Sequence, residues 1–272
     1  MKLAISNIAW KREDDKALLQ GLLETHITSI EIAPTRLIEN PYQASDSALR
    51  QLMTSYEEIG IKFISMQSIL FGETRAIFES KESCQMYLDK FKSILSFAKK
   101  MLIPTIVFGS PSIRNINNPI EKTNAFEFFN HLALLAQSSG IQIAVEANPT
   151  IYGTNFLNTT QEALDFIRSI NQPNLGINLD LGTIIQNHED LESLLTIETI
   201  KHVKHVHISE PFLAPIDQKN KSYHQLLLST LYHLNYQHFV SIEMKSGPTM
   251  DEILSTLKYI KDVANQLGDL NE

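Results

Sequence analysis

The chain has 272 residues, long for one ordinary domain and about the size of one large α/β barrel. Hydrophobic residues make up 43% and charged residues 20%, with only ten Gly and ten Pro, a composition that excludes disorder and collagen-like structure. Thirty-one acidic against 23 basic residues leave a formal charge of −8, and no Lys/Arg run is dense enough to neutralise several adjacent phosphates, so nucleic acid is not an expected partner.

In chain order, short runs rich in Ile and Val alternate with longer stretches whose apolar residues fall three and four apart, the pattern of strands alternating with helices. Strands are expected at 2–7, 29–33, 62–67, 105–109, 142–147, 175–180, 202–208 and 239–244. Most are nearly continuous in Ile, Val, Leu or Phe, as suits parallel strands covered by helices. Ahead of the third strand, Leu49, Leu52, Met53 and Tyr56 share one helix face. Ahead of the fifth, Phe126, Phe129, Leu132, Ala133 and Ala136 do the same. Thr159 with Glu162 and Thr249 with Glu252 read as capping boxes that open two later helices.

Eight βα units of 34 residues would account for the whole chain, and the expected fold is α/β, a single-domain (β/α)8 TIM barrel over 1–272. No linker interrupts it. The loop segments SPSIRNINNP and EPFLAPIDQKNK are long enough to build a site. An open doubly wound sheet that binds a nucleotide would show a glycine-rich turn after its first strand, and none follows Asn7. Phosphate-loop and serine-hydrolase motifs are also absent.

The single cysteine, Cys84, has no internal disulfide partner, and the opening MKLAISNIAW lacks a long apolar stretch or cleavage site, so a cytoplasmic location is expected. No segment approaches the roughly 18 to 20 apolar residues of a membrane helix, and no membrane partner is expected.

Four late strands end in metal-capable side chains: Glu146, Asp180, His207 and Glu243. A carboxylate in an apolar strand is costly unless it reaches water, a partner or a metal. Barrel active sites form at the C-terminal rim, where these four residues would meet. Three converging carboxylates repel one another, and a divalent cation is the simplest counterweight. Three oxygens and one imidazole suit Mn²⁺ first, with Mg²⁺, Co²⁺ or Zn²⁺ as alternatives. Residues two apart on a strand face the same way, which groups Glu146 with Asn148, Asp180 with Asn178, His207 with His205, and Glu243 with Lys245.

The segments SNIAW, IEIAPTRL, SMQSILFG, VFGSP, NPTIYGTNF, GINLDLGT, HVHISEP and SIEMK resemble the xylose isomerase-like barrels of the sugar phosphate isomerase/epimerase superfamily. The resemblance spans nearly the whole chain. It implies that one metal is held by Glu146, Asp180, His207 and Glu243, as in the related ketose 3-epimerases, with Glu146 and Glu243 also moving protons on the sugar. Two departures stand out: Thr183 replaces a His three residues after the metal-binding Asp, and Leu213 replaces an Arg six residues after the metal His.

The expected partner is therefore a small-molecule sugar or sugar phosphate, bound by Gln67, Arg114, Asn148 and Lys245. Arg36, Lys219, Lys221, His224 and the rings of Trp10, Phe71 and Tyr152 are further rim candidates, and Glu31 is expected to face inward. The expected chemistry is proton transfer through an enediolate by the Glu pair. A polyol dehydratase, an endonuclease-like phosphodiesterase and a non-catalytic sugar-binding barrel are the rival expectations. A homo-oligomer is possible in each case.

Overall fold

A computed structural model describes residues 1–267. Eight parallel strands close into a barrel in sequence order: β1 (Lys2–Ser6), β2 (Ser29–Ile32), β3 (Lys62–Met66), β4 (Thr105–Phe108), β5 (Gln142–Glu146), β6 (Leu175–Asp180), β7 (Val203–Ser209) and β8 (Phe239–Glu243). All eight expected strands are present. Six of them end one residue earlier than expected because the chain turns away there, as at Asn7, which opens a 3-10 turn. In β7 the shift runs the other way: His202 belongs to the preceding 3-10 turn, and the strand continues to Ser209.

The helical layer buries its apolar faces against the outside of the strands. Phe129 shows the packing density, with its ring 4.9 Å from Phe108, 5.5 Å from Phe128 and 5.4 Å from Phe166. One member of the expected stripe on this helix (Pro119–Ser138) fails: Phe126 is 41% exposed, while Ala125 and Phe128 are buried. The face is rotated, since 128, 129, 132, 133 and 136 already fill the strip against the barrel.

Thr249 and Glu252 form the full reciprocal capping box. At Thr159 only half of the box forms: its hydroxyl accepts from Glu162 N, but Glu162 takes the amide of Asn158 instead. Among the described residues, no helix is long and apolar enough to cross a membrane.

Strand pairing fixes the relative heights of the late strand ends. Glu146 lies beside Asn178, Asp180 beside His207, and Glu243 beside Ser209. The four polar ends thus climb in a stagger rather than sitting on one level, as the tilt of barrel strands requires. Register shifts between Ile30 and Glu31 and between Ile177 and Asn178 adjust β2 and β6 to their neighbours.

Replacing Phe129 by Ala removes the ring that joins these aromatic neighbours. We expect a loss of about 3–5 kcal/mol in urea unfolding. A loss near zero would mean that this layer repacks freely.

Candidate metal centre and active site

The barrel's C-terminal mouth holds a cavity of about 560 Å³, with Glu146, Asp180 and Glu243 among its lining residues. His207 lies behind them, with no exposed surface. Its Nδ1 is 3.1 Å from Glu243 Oε2, 3.3 Å from Glu146 Oε1 and 3.9 Å from Asp180 Oδ2. One ligand-type atom from each of these four residues lies within 4.8 Å of the others. The expected quartet therefore converges.

Each carboxylate is steered by neutral donors. Glu146 accepts from Asn178 Nδ2 at 2.8 Å and from Asn148 Nδ2 at 2.9 Å. Gly109 leaves it room, because a Cβ there would lie 2.7 Å from Glu146 Oε2. Asp180 caps the helix Leu181–Asn187 by accepting from Thr183 N at 2.6 Å, and Ser209 Oγ donates to its other oxygen at 2.5 Å. Glu243 accepts from Gln67 Nε2 at 2.6 Å.

Beneath the quartet lies a second polar group that sequence reading placed inward but did not connect. Glu31 is fully buried, with Oε2 2.9 Å from His207 Nε2 and Oε1 3.2 Å from His205 Nε2. It also accepts from Ser65 Oγ at 2.9 Å. Glu31 is therefore a buttress under His207, not a cavity residue. With Nε2 facing Glu31, Nδ1 is the nitrogen presented to the three carboxylates, the outer-partner arrangement common to metal-ligating histidines.

Charge crowding shows in the titration behaviour. Burial, reinforced by Glu146 and Glu243, pushes the Asp180 carboxyl up to about 7. Burial also opposes ionisation of Glu146 and Glu31, but His207 outweighs it and holds both below the usual carboxylate range. For His207 itself burial favours the neutral ring, yet Glu243 and Glu31 hold its pKa well above the ordinary value.

The remaining sequence expectations divide. Gln67, Asn148 and Lys245 line the cavity, the first two as supports for Glu243 and Glu146. Arg114 does not line it. Its guanidinium is fully buried and donates to the carbonyls of Gly109, Glu146 and Leu157, so the expected substrate contact is replaced by a backbone brace. His224 is not in a loop but inside the helix Lys221–His233, fully buried against Tyr259 and Glu210. Arg36 is spent on the carbonyls of Asn7 and Trp10. Ser209 and Glu210 were missed, although Ser209 continues the same inward alternation as His205 and His207.

An eight-stranded barrel with a carboxylate-rich, metal-capable mouth defines the class. Residues 22–263 match the family model described as the xylose isomerase-like TIM barrel, and the chain belongs to that family. A curated ketose 3-epimerase from Arthrobacter globiformis is 36% identical over 133 residues, which cover 49% of this chain. The chain spans 42% of the length of that relative.

The fold is also similar to a D-psicose 3-epimerase with D-tagatose from Clostridium cellulolyticum H10, at 16% identity and TM-score 0.80, covering 97% of this chain and 99% of that one. The apo 3-keto-D-glucoside 4-epimerase YcjR from E. coli gives 17% identity and TM-score 0.77, covering 96% and 99%. A structure of the IOLI protein with a bound zinc atom gives 18% and 0.73, covering 99% and 100%.

Asp180 supplies a pH test on metal-free protein. Its folded pKa of about 7 exceeds its ordinary value of 3.8, so the folded state binds the proton more tightly. The associated stability is present below about pH 4 and is lost as pH rises towards 7. Asp180→Asn should therefore raise the metal-free melting temperature at pH 8 more than at pH 5, a difference of at most about 3 kcal/mol in stability. An equal effect at both pH values would show that Asp180 carries no such strain.

Proposed function

We propose that the protein is a divalent-metal-dependent sugar isomerase or epimerase that moves a proton beside the sugar's carbonyl. The observation that carries this reading is the pair Glu146 and Glu243, which approach the same His207 nitrogen from β5 and β8 at the floor of one cavity. The ketose 3-epimerase relative and the sugar epimerases among the structural neighbours support the substrate class.

The residues fit a cation. Three carboxylates and an imidazole nitrogen close together form a hard, mixed donor set, and the upward push on Asp180, from burial first and from Glu146 and Glu243 second, is a cost of ionisation that a dication would offset. Glu146, Asp180, His207 and Glu243 would hold it, with Mn²⁺ as the proposed ion and Zn²⁺, the ion bound in the IOLI structure, as the alternative. When bound, such an ion stabilises negative charge that develops on the substrate's carbonyl oxygen.

The chain's own residues do the rest. One of Glu146 and Glu243 takes the proton from the carbon beside the carbonyl, leaving an enediolate. The other gives a proton back from the opposite face, which inverts that carbon; return to the neighbouring carbon isomerises the sugar instead. Asn148 and Asn178 hold the Glu146 carboxylate at both oxygens, and Gln67 holds Glu243, so neither has to reorient as its charge changes. Lys245, at the rim, meets substrate oxygens.

The test is solvent deuterium uptake into a panel of ketoses, followed by NMR. Metal-free protein should show none, and Mn²⁺ should restore it. Glu146→Gln and Glu243→Gln should each slow uptake by about 10²–10⁴-fold with unchanged circular dichroism. If no ketose exchanged under any divalent ion while the ion bound, the isomerase reading would be abandoned.

A further inference from the structure

The turn after β7 carries two consecutive residues in the left-handed region, Phe212 (φ 62) and Leu213 (φ 53). Residues with side chains adopt this backbone at a cost, and such positions persist where the surroundings fix them. Here the surroundings do so. Phe212 N donates to the Tyr152 hydroxyl at 2.8 Å, Leu213 N to Glu210 O at 2.9 Å, and Lys245 N to Leu213 O at 2.9 Å. Glu210 is anchored in turn by Asn220 and lies 3.4 Å from His224. The Tyr152 ring meets Phe212 edge-on at 5.6 Å. Both rings and Leu213 line the cavity, and Phe212 is 51% exposed to solvent. A rigid apolar wall thus stands over a polar floor.

The same cavity is poorly equipped for an anion. Lys245 is the one cation among the described residues that line it, against Glu146, Asp180, Glu210 and Glu243. Of the other cations expected at the rim, none lines the cavity: Arg114 is held on three carbonyls, Arg36 on two, Lys219 lies 3.1 Å from Asp217, and Lys221 is exposed at the start of its helix. The helix start beside the cavity is also spent, since Gly182 N donates to Ser209 Oγ and Thr183 N to Asp180. Among the described residues that line the cavity, neither a forked guanidinium nor a free helix N-terminus is left for a phosphate.

We infer that this site takes an uncharged deoxyketose, whose carbonyl end meets the carboxylate floor and whose terminal methyl packs on Tyr152, Phe212 and Leu213. The inference rests on the sugar isomerase reading for its carbonyl end and on the apolar wall for the rest. An apolar pocket discriminates against an added hydroxyl by up to about 10²-fold.

The test is calorimetric titration of the Mn²⁺-loaded protein with a matched trio: a ketohexose, its 6-deoxy analogue and its 6-phosphate. The deoxy sugar should bind at least tenfold more tightly than the parent, and the phosphate more weakly than either. Leu213→Ala should bring the deoxy and parent sugars within threefold of each other while Mn²⁺ affinity stays unchanged, a result that a merely structural role would not produce. A phosphate that binds as well as the deoxy sugar, or equal binding of deoxy sugar and parent, overturns the inference. Deuterium uptake measured on the same samples separates the two readings. The expected binding order without uptake leaves the pocket assignment standing and removes the isomerase reading. Uptake with the wrong order does the reverse, and no binding of any sugar overturns both.

Discussion

The approach of four carboxylates to one buried imidazole is the constraint on which the rest of this molecule turns. Glu31, Glu146, Asp180 and Glu243 all have an oxygen within 3.9 Å of a His207 nitrogen. So many negative charges in a region of low dielectric raise the proton affinity of Asp180, and they would scatter if the backbone allowed it. It does not, because each side chain except Glu31 sits at or near the end of a strand whose two neighbours are locked in parallel register. Glu31 is fixed the same way within β2, between Ser6 and Ser65. The remaining freedom of the carboxylates is removed by amides and hydroxyls, from Asn148, Asn178, Gln67, Ser65 and Ser209. These donors are neutral, so they orient charge without cancelling it. The site is left with unbalanced negative charge at a fixed point, which is the property a cation centre needs and a stable core avoids.

That arrangement divides the barrel interior by depth. Lowest are Glu31, His205, Ser65 and Ser241, fully or almost fully buried and bonded mainly to one another. Above them stand the quartet and its supporting amides. Highest is the apolar edge made by Tyr152, Phe212 and Leu213. The lowest group matters because an imidazole can offer only one nitrogen upward: Glu31 occupies the space at Nε2 and so commits Nδ1 to the mouth. Arg114 acts higher, at the strand ends, tying the carbonyl of Glu146 to those of Gly109 and Leu157 and so joining the ends of β4 and β5 to the following loop.

The strands and the quartet were legible in the sequence because both are periodic features. A period of two assigns each residue to one face, and an interval of about one βα unit assigns it to a height. What lies across the barrel has no such period. Glu31 and His207 are far apart in sequence, and nothing local says that they touch. Arg114 failed for a related reason: in a loop of Ser, Asn and Pro it reads as a guanidinium free to meet substrate, yet three carbonyls from separate segments converge on it. His224 was misplaced because the helix Lys221–His233 begins within the polar stretch QKNKSYH, without an apolar stripe to announce it. Ser209 was the avoidable omission, since it lies two residues beyond His207 on the same face.

Charge also orders what the mouth admits. A bound dication would cancel two of the three negative charges of Glu146, Asp180 and Glu243, and Glu210 adds another beside them. The potential at the floor would then remain negative even in a loaded site, and the exposed Lys245 offsets only part of it through solvent. An anion entering the cavity meets that field before it reaches the carboxylates of the floor, whereas a neutral polyol meets only dipoles and can exchange its water for them. In the proposed reaction the negative field would not oppose carbonyl chemistry, because charge would develop there only once a proton had passed to a glutamate whose own charge falls at that moment. The crowding that makes the floor suited to a cation thus also restricts the substrates that can approach it.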